Sequence, residues 1–296
     1  MSYPAWMAFA ALSIIWGFPY FLIKVAVTDV PPLMIAWSRV TLAALILVPI
    51  AWRRGALASL TGHTGALVAF ALAEFVIPFA AISIGEQWIG SSVTGILIAT
   101  VPMWVVLLSR PFGVHERLGA RRSAGLTLGF AGVVALLGFG SITGLKGWAG
   151  VFCMLISALG YAVGPLVIQR HMKALDAIGP LAASLALSSA ILLIPALQVM
   201  PGHLPPAATI GCIAALGIVC TALAMMLMFY LVHQAGASRA TLITYLNPAV
   251  ASVLGVVLLH ERLGASGLLA FALILLGSWL ATRPASPKLV GLAAER

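Results

Sequence analysis

The sequence predicts an all-α integral membrane protein of ten transmembrane helices, built as two inverted five-helix repeats. Three observations carry that prediction: the scarcity of charge, the spacing of the apolar runs, and a hexapeptide duplicated half a chain apart. Of 296 residues, 62% are apolar and 8% charged, against about 45–50% and about 25% in an ordinary soluble domain. Sixteen basic and seven acidic side chains cannot cover a body of this size, so lipid must be the solvent for most of its surface. The 29 glycines and 17 prolines suit helices whose backbones approach closely in a bilayer.

A spanning helix needs about 20 apolar residues, and ten such runs follow one another at 5–27, 33–52, 64–84, 91–109, 121–140, 148–169, 178–199, 207–232, 240–259 and 265–282. Turn and charge clusters punctuate them, among them Asp29–Pro32, Arg53–Gly55, Glu86–Gln87, Arg110–Gly119, Gly140–Lys146, Arg170–Asp176 and Pro201–Pro206. The runs are apolar nearly all round, whereas strands of a membrane barrel would alternate over about ten residues. The first run has no basic stretch before it and outlasts a signal-peptide core, so it reads as a retained membrane helix.

Charge sets the orientation. On a ten-helix path that starts inside, Arg53, Arg54, Arg110, Arg117, Arg121, Arg122, Arg170, Lys173, Arg239, Arg283, Lys288 and Arg296 face the cytoplasm, against Lys24, Lys146 and Arg262 outside and Arg39 within a helix. This positive-inside bias puts both termini in the cytoplasm. The basic residues lie in short gaps without interleaved aromatics, so the net charge of +9 is a topology signal and not a nucleic-acid footprint. Cys153, Cys212 and Cys220 all lie in apolar runs, which fits core packing better than a disulfide framework or a metal site.

The string His115-Glu116-Arg117-Leu118-Gly119-Ala120 recurs as His260-Glu261-Arg262-Leu263-Gly264-Ala265. At nearly the same offset Pro102 falls on Pro248, Gly132 on Gly277, Trp16 on Tyr161 and Gly17 on Ala162. The division that follows is a first repeat at 1–145, a second at 146–285 and a cytoplasmic tail at 286–296. Five helices per repeat is an odd number, so the second copy enters the membrane from the opposite side. Inverted repeats of this kind are a recurring plan of secondary transporters.

Several of these pieces resemble a known family. Trp16-Gly17 in the first helix, Pro32 followed by Arg39 in the second, and the paired segments from Pro102 to Glu116-Arg117 and from Pro248 to Glu261-Arg262 are similar to the EamA-type members of the drug/metabolite transporter (DMT) superfamily. The resemblance runs from residue 5 to about 283 and implies a ten-helix bundle around a central cavity, with metabolite export as the commonest activity. The general texture is most similar to the YddG-type amino-acid exporters. Tyr161 stands where the second half of such proteins often carries Trp, and Ser184 stands where Arg39 has its repeat mate.

Glu74 lies about ten residues into the third helix, where an ionisable group costs about 2.5–3.5 kcal/mol on insertion scales and faces a cavity or a partner by default. It reads as a substrate-amine contact or proton carrier, or else as a neutral carboxyl bonded between helices. The planar fork of Arg39 suits a carboxylate, but snorkelling or a bond to a loop carbonyl is the stronger reading there, and Lys24 reads as a solvated anchor. The intrahelical prolines Pro19, Pro49, Pro78, Pro102, Pro165, Pro195 and Pro248 each free a backbone carbonyl. Of these, Pro78, Pro102 and Pro248 are the hinge candidates. Trp16, Tyr20, Phe79, Tyr161 and Tyr245 are the aromatic candidates for a substrate pocket, with Thr100 and Asn247 as polar contacts. The pairs Gly125/Gly129 and Gly160/Gly164 predict close helix packing.

No GxxxxGK[ST], zincin, GxSxG or Asp-rich pattern is present, so the expectation is no enzyme, no cofactor and no metal. The expected activity is export of a small metabolite, an amino acid with an aromatic or apolar side chain, across the bacterial inner membrane by alternating access. A broad multidrug or organic-cation exporter is the alternative, ahead of a membrane enzyme or scaffold.

Overall fold

The computed structural model describes residues 2–113, 119–138, 142, 144–235 and 243–282. All regular structure among them is helical. Nine helices in this set are long and apolar enough to cross a membrane: α1 Tyr3–Ala26, α2 Pro32–Arg53, α3 Thr64–Gly85, α4 Ser91–Leu108, α5 Ala120–Leu137, α6 Gly144–His171, α7 Ile178–Gln198, α8 Ala207–Gln234 and α10 Ala265–Thr282. A tenth, α9, is described over Ile243–Leu258. The predicted runs and the observed helices agree to within a few residues. The first hexapeptide copy through Leu118, Arg239 and residues 283–296 lie outside the described residues.

Local chemistry accounts for the helix ends. Pro32 opens α2 at its first position, where a missing N–H costs nothing. Gly55, left-handed at φ 68°, closes it. Its N–H reaches the Trp52 carbonyl and that of Ala56 the Ala51 carbonyl, the paired bonds of a Schellman stop. Exposed Tyr3, Trp6, Trp52 and Trp148 sit near helix ends, where amphipathic rings favour the membrane interface.

The packing order follows the duplication. α2 lies against α7, α4 against α9, and α5 against α10; α3 packs on α6, and α1 on α8. Exchanging the halves turns the α3–α6 contact into α8–α1 and leaves the other three pairs unchanged. Both predicted glycine pairs serve packing within the chain. A Cβ on Gly125 would strike the α10 backbone around Gly277 and Ala281, and one on Gly160 the Ala73 carbonyl of α3.

Regular α-helix fails at corresponding places in the two halves. α3 is π-helical over Leu72–Val76, and α8 over Ala215–Leu223; the first segment shifted by the repeat offset falls inside the second. In α3 the break lies just before Pro78, which can donate no backbone bond. In α8 the mate of Pro78 is Leu223, so another device is needed: the Thr221 hydroxyl bonds the Leu216 carbonyl at 2.8 Å. Among the described residues the other breaks within spanning helices fall in the first half. α1 breaks at Trp16–Gly17 and α4 at Ala99–Thr100, while α6 runs unbroken through Tyr161.

Candidate functional site

Five side chains from four helices of the interior form the centre of the site: Tyr20 on α1, Arg39 on α2, Glu74 and Phe79 on α3, and Tyr161 on α6. Tyr20, Arg39 and Phe79 are buried, at 9%, 6% and 3% exposure. Tyr161 is half-buried and packs against both large apolar clusters, the one holding Tyr20 and the one holding Phe79. It lies within electrostatic reach of Arg39, Tyr20 and Glu74.

Each charged member is placed by an irregularity of the backbone. Glu74 stands in the π-helical turn of α3, which rotates it toward α6, and its carboxyl rests on Gly164, where a Cβ would collide with Oε2. That oxygen is buried and meets no hydrogen-bond partner among the described residues. Arg39 crosses to the other half of the chain, where Nε donates to Thr221 Oγ1 at 2.8 Å in the π-helical segment of α8. Its guanidinium carbon sits 3.7 Å from the centre of the Phe79 ring, a cation–π contact. Phe79 is held edge-on by Phe75 at 5.7 Å, and Phe75 by Phe70 at 5.6 Å.

Trp16, Thr100 and Asn247 are engaged outside this group of five. Trp16 packs in a separate cluster with Ala224, Leu227 and Met228 of α8. Thr100 is fully buried, but its hydroxyl is engaged twice, donating to the Leu97 carbonyl at 2.6 Å and accepting from Trp104 Nε1 at 3.2 Å. The Asn247 amide, oriented with its nitrogen toward the acceptors, donates to the carbonyls of Ile243 and Ser13. The tight turn in α1 takes the Gly17 N–H to Ile14, so Asn247 supplies a donor to a carbonyl that this turn leaves over. The Tyr245 side chain lies outside the described residues. Pro78 follows the π-turn of α3 and Pro102 the break in α4, whereas Pro248 lies within continuous helix.

Two sequence readings are corrected. Arg39 neither snorkels nor bonds a loop: α2 packs along the π-helical segment of α8, which carries the side chain inward. Lys24 is no solvated anchor, because its ammonium donates to the carbonyls of Glu86 and Ile89 at 2.6 and 2.8 Å. These bonds belong to a polar knot at one end of the bundle that the sequence reading missed. Glu261 accepts from the Ser91 and Ser92 N–H groups at 2.7 and 2.9 Å and from Ser91 Oγ at 3.1 Å. The second hexapeptide thus caps α4 from the far half of the chain, where Gly90 offers no side-chain cap of its own. His260, at φ 53°, turns the chain so that Glu261 points back. Beside it Glu86 is fully buried, and among the described residues neither carboxyl oxygen meets a partner in good hydrogen-bond geometry, with Thr94 nearby. Burial pushes its carboxyl well above the usual range, against the pull of Lys24 and with Glu261 adding to the push.

The arrangement offers no metal cluster among the described residues. It offers an acid, a guanidinium and two phenols gathered around Tyr161, where the two large apolar clusters meet. Comparison with known proteins agrees with that character. The model of the EamA-like transporter family matches twice, at residues 4–138 and 148–283. The uncharacterized inner membrane transporter YedA of Escherichia coli strain K12 is 31% identical over 301 residues, covering 96% of this chain and 94% of the relative. The uncharacterized transporter YoaV of Bacillus subtilis strain 168 is 23% identical over 276 residues, covering 92% and 94%. A solved structure of 20% identity shares the fold with a TM-score of 0.67, over 95% of this chain and 98% of its own. A family model that covers both halves, and a full-length relative above 30% identity, place this chain in the EamA-like transporter family.

Proposed function

We propose that the protein exports amino acids with aromatic or apolar side chains across the bacterial inner membrane, in the manner of the YddG-type exporters. The observation that carries the reading is Glu74, a half-buried acid whose buried Oε2 has no partner among the described residues, within reach of Tyr161, which packs on the clusters of Tyr20 and Phe79. An ammonium group would satisfy the acid, and the rings would cover an apolar side chain. Trp16, Thr100, Tyr245 and Asn247 remain assigned to the path on the sequence reading.

The working cycle is alternating access between two inverted five-helix repeats, 1–145 and 146–285, followed by the tail 286–296, with both termini in the cytoplasm. The double family match and the helix pairings that survive exchange of the halves support this division. Pro78, Pro102 and Pro248 serve as hinges. Prolines and π-turns lower the cost of bending, because the backbone bonds there are already incomplete. The relative YedA is named an inner membrane transporter, which supports this location.

Flux of labelled amino acids into vesicles holding the purified protein tests the proposal: saturable uptake of phenylalanine or tryptophan is expected, and its absence refutes it. The same unpartnered acid also favours an organic-cation exporter. Glu74→Gln separates the two, since cation export would be abolished whereas amino-acid flux would be retained in part.

A further inference from the structure

Arg39 carries more hydrogen-bonding capacity than the fold uses. A guanidinium has five N–H donors in a planar fork and no acceptor. Among the described residues its hydrogen bonding is the single contact from Nε to Thr221, and it forms no ion pair there. The two terminal nitrogens, the edge that matches a carboxylate, are left uncommitted. A side chain needed only to join α2 to α8 would not require this: one neutral donor would hold the Thr221 hydroxyl without the cost of a cation inside a membrane bundle.

The fork is also held in place. Its face lies over Phe79, and Phe79 is steadied by Phe75. Its acceptor Thr221 is anchored in turn to the Leu216 carbonyl. Glu74 does not neutralise it. That carboxyl rests on Gly164 of α6, and Tyr161 lies within reach of both groups. Tyr161 therefore has within its reach a cation and an acid that are not paired with each other.

We propose that Arg39 is an anion-recognition residue, whose terminal nitrogens bind the carboxylate of the transported molecule. The assignment rests on the amino-acid reading and refines it: the two charges of a zwitterion are taken by separate helices, the carboxylate by Arg39 and the ammonium by Glu74. An organic cation alone would meet a desolvated guanidinium in the same site and bind poorly.

Three probes with one ring and different charges test it by equilibrium binding to the full chain in nanodiscs: L-phenylalanine, 3-phenylpropionate, which lacks the amine, and 2-phenylethylamine, which lacks the carboxylate. Arg39→Gln and Arg39→Lys are both expected to weaken the two carboxylates by about tenfold or more, because Lys keeps the charge but loses the bidentate fork. Phenylethylamine should bind the variants at least as well as the parent, and Arg39→Gln more tightly, because the opposing cation is gone; that binding also shows that the variants are folded. Loss of phenylpropionate binding in the variants, with no phenylalanine binding to the parent, would keep the carboxylate site and refute the amino-acid reading. Phenylalanine binding equally to parent and variants would keep that reading and overturn the site. Binding of phenylethylamine alone, or of none of the three, overturns the site as well.

Discussion

Glu74 is kept in place by an absence. Gly164 gives the carboxyl room that a methyl group would occupy. Gly164→Ala should therefore displace Glu74 and lower flux severalfold while the chain still folds, since the rest of the α3–α6 contact is intact; flux and thermal unfolding measured together check this. Glu86 makes a different prediction. Its folded carboxyl holds a proton at pH values where the unfolded chain has lost it. Stability should then fall as pH rises from the ordinary carboxylate range toward the raised value. Glu86→Gln should remove that slope, which unfolding in detergent across pH 5 to 8 would show; an unchanged slope would mean that Glu86 is charged in the fold.

Helices in this protein are informative where they stop being regular. The π-turn of α3 aims Glu74 at α6, and that of α8 presents Thr221 to Arg39, so both charged groups of the site depend on a distorted turn. One turn precedes a proline and the other carries a threonine hydroxyl on the Leu216 carbonyl, two different ways of meeting a carbonyl that the helix leaves over. The cap that Glu261 places on α4 spans the two repeats. Glu261→Ala should cost about 1 kcal/mol of stability, the usual worth of an N-cap. Glu261→Gln, which keeps an acceptor, should cost less. Equal midpoints for all three proteins in denaturant would show that the cap contributes nothing.

At the scale of the molecule, the two halves interleave instead of packing as separate blocks. α2, α4 and α5 each meet their own repeat mates, so relative motion of the halves must pass through these pairs. α5 and α10 are locked by glycine-to-backbone contact, whereas α1 and α4 are interrupted; bending is expected in the latter. The proposed inversion of the halves requires residues 115 and 260 to lie on opposite sides of the membrane. Cysteine labelling from each side of intact cells should reach one and not the other. Labelling of both from the same side would remove the basis for alternating access.

Membrane class, helix positions and the duplication were legible in the chain itself, because each is a one-dimensional pattern: apolar length, charge in the gaps, a string repeated at a fixed offset. Glu74 was conspicuous too, since an acid in an apolar run has few reasons to be there. Arg39 was not placed correctly, nor was Lys24, because neither residue names its partner; Thr221 lies 182 positions away and becomes a neighbour only when α2 packs on α8. The hexapeptide announced itself by repetition, but its use as a cap for α4 depends on a turn at His260 and on space left by Gly90 and Gly255. Periodicity along a chain reports what each segment must bury. Which charged group meets which depends on contacts between distant segments, and those are set by packing in three dimensions.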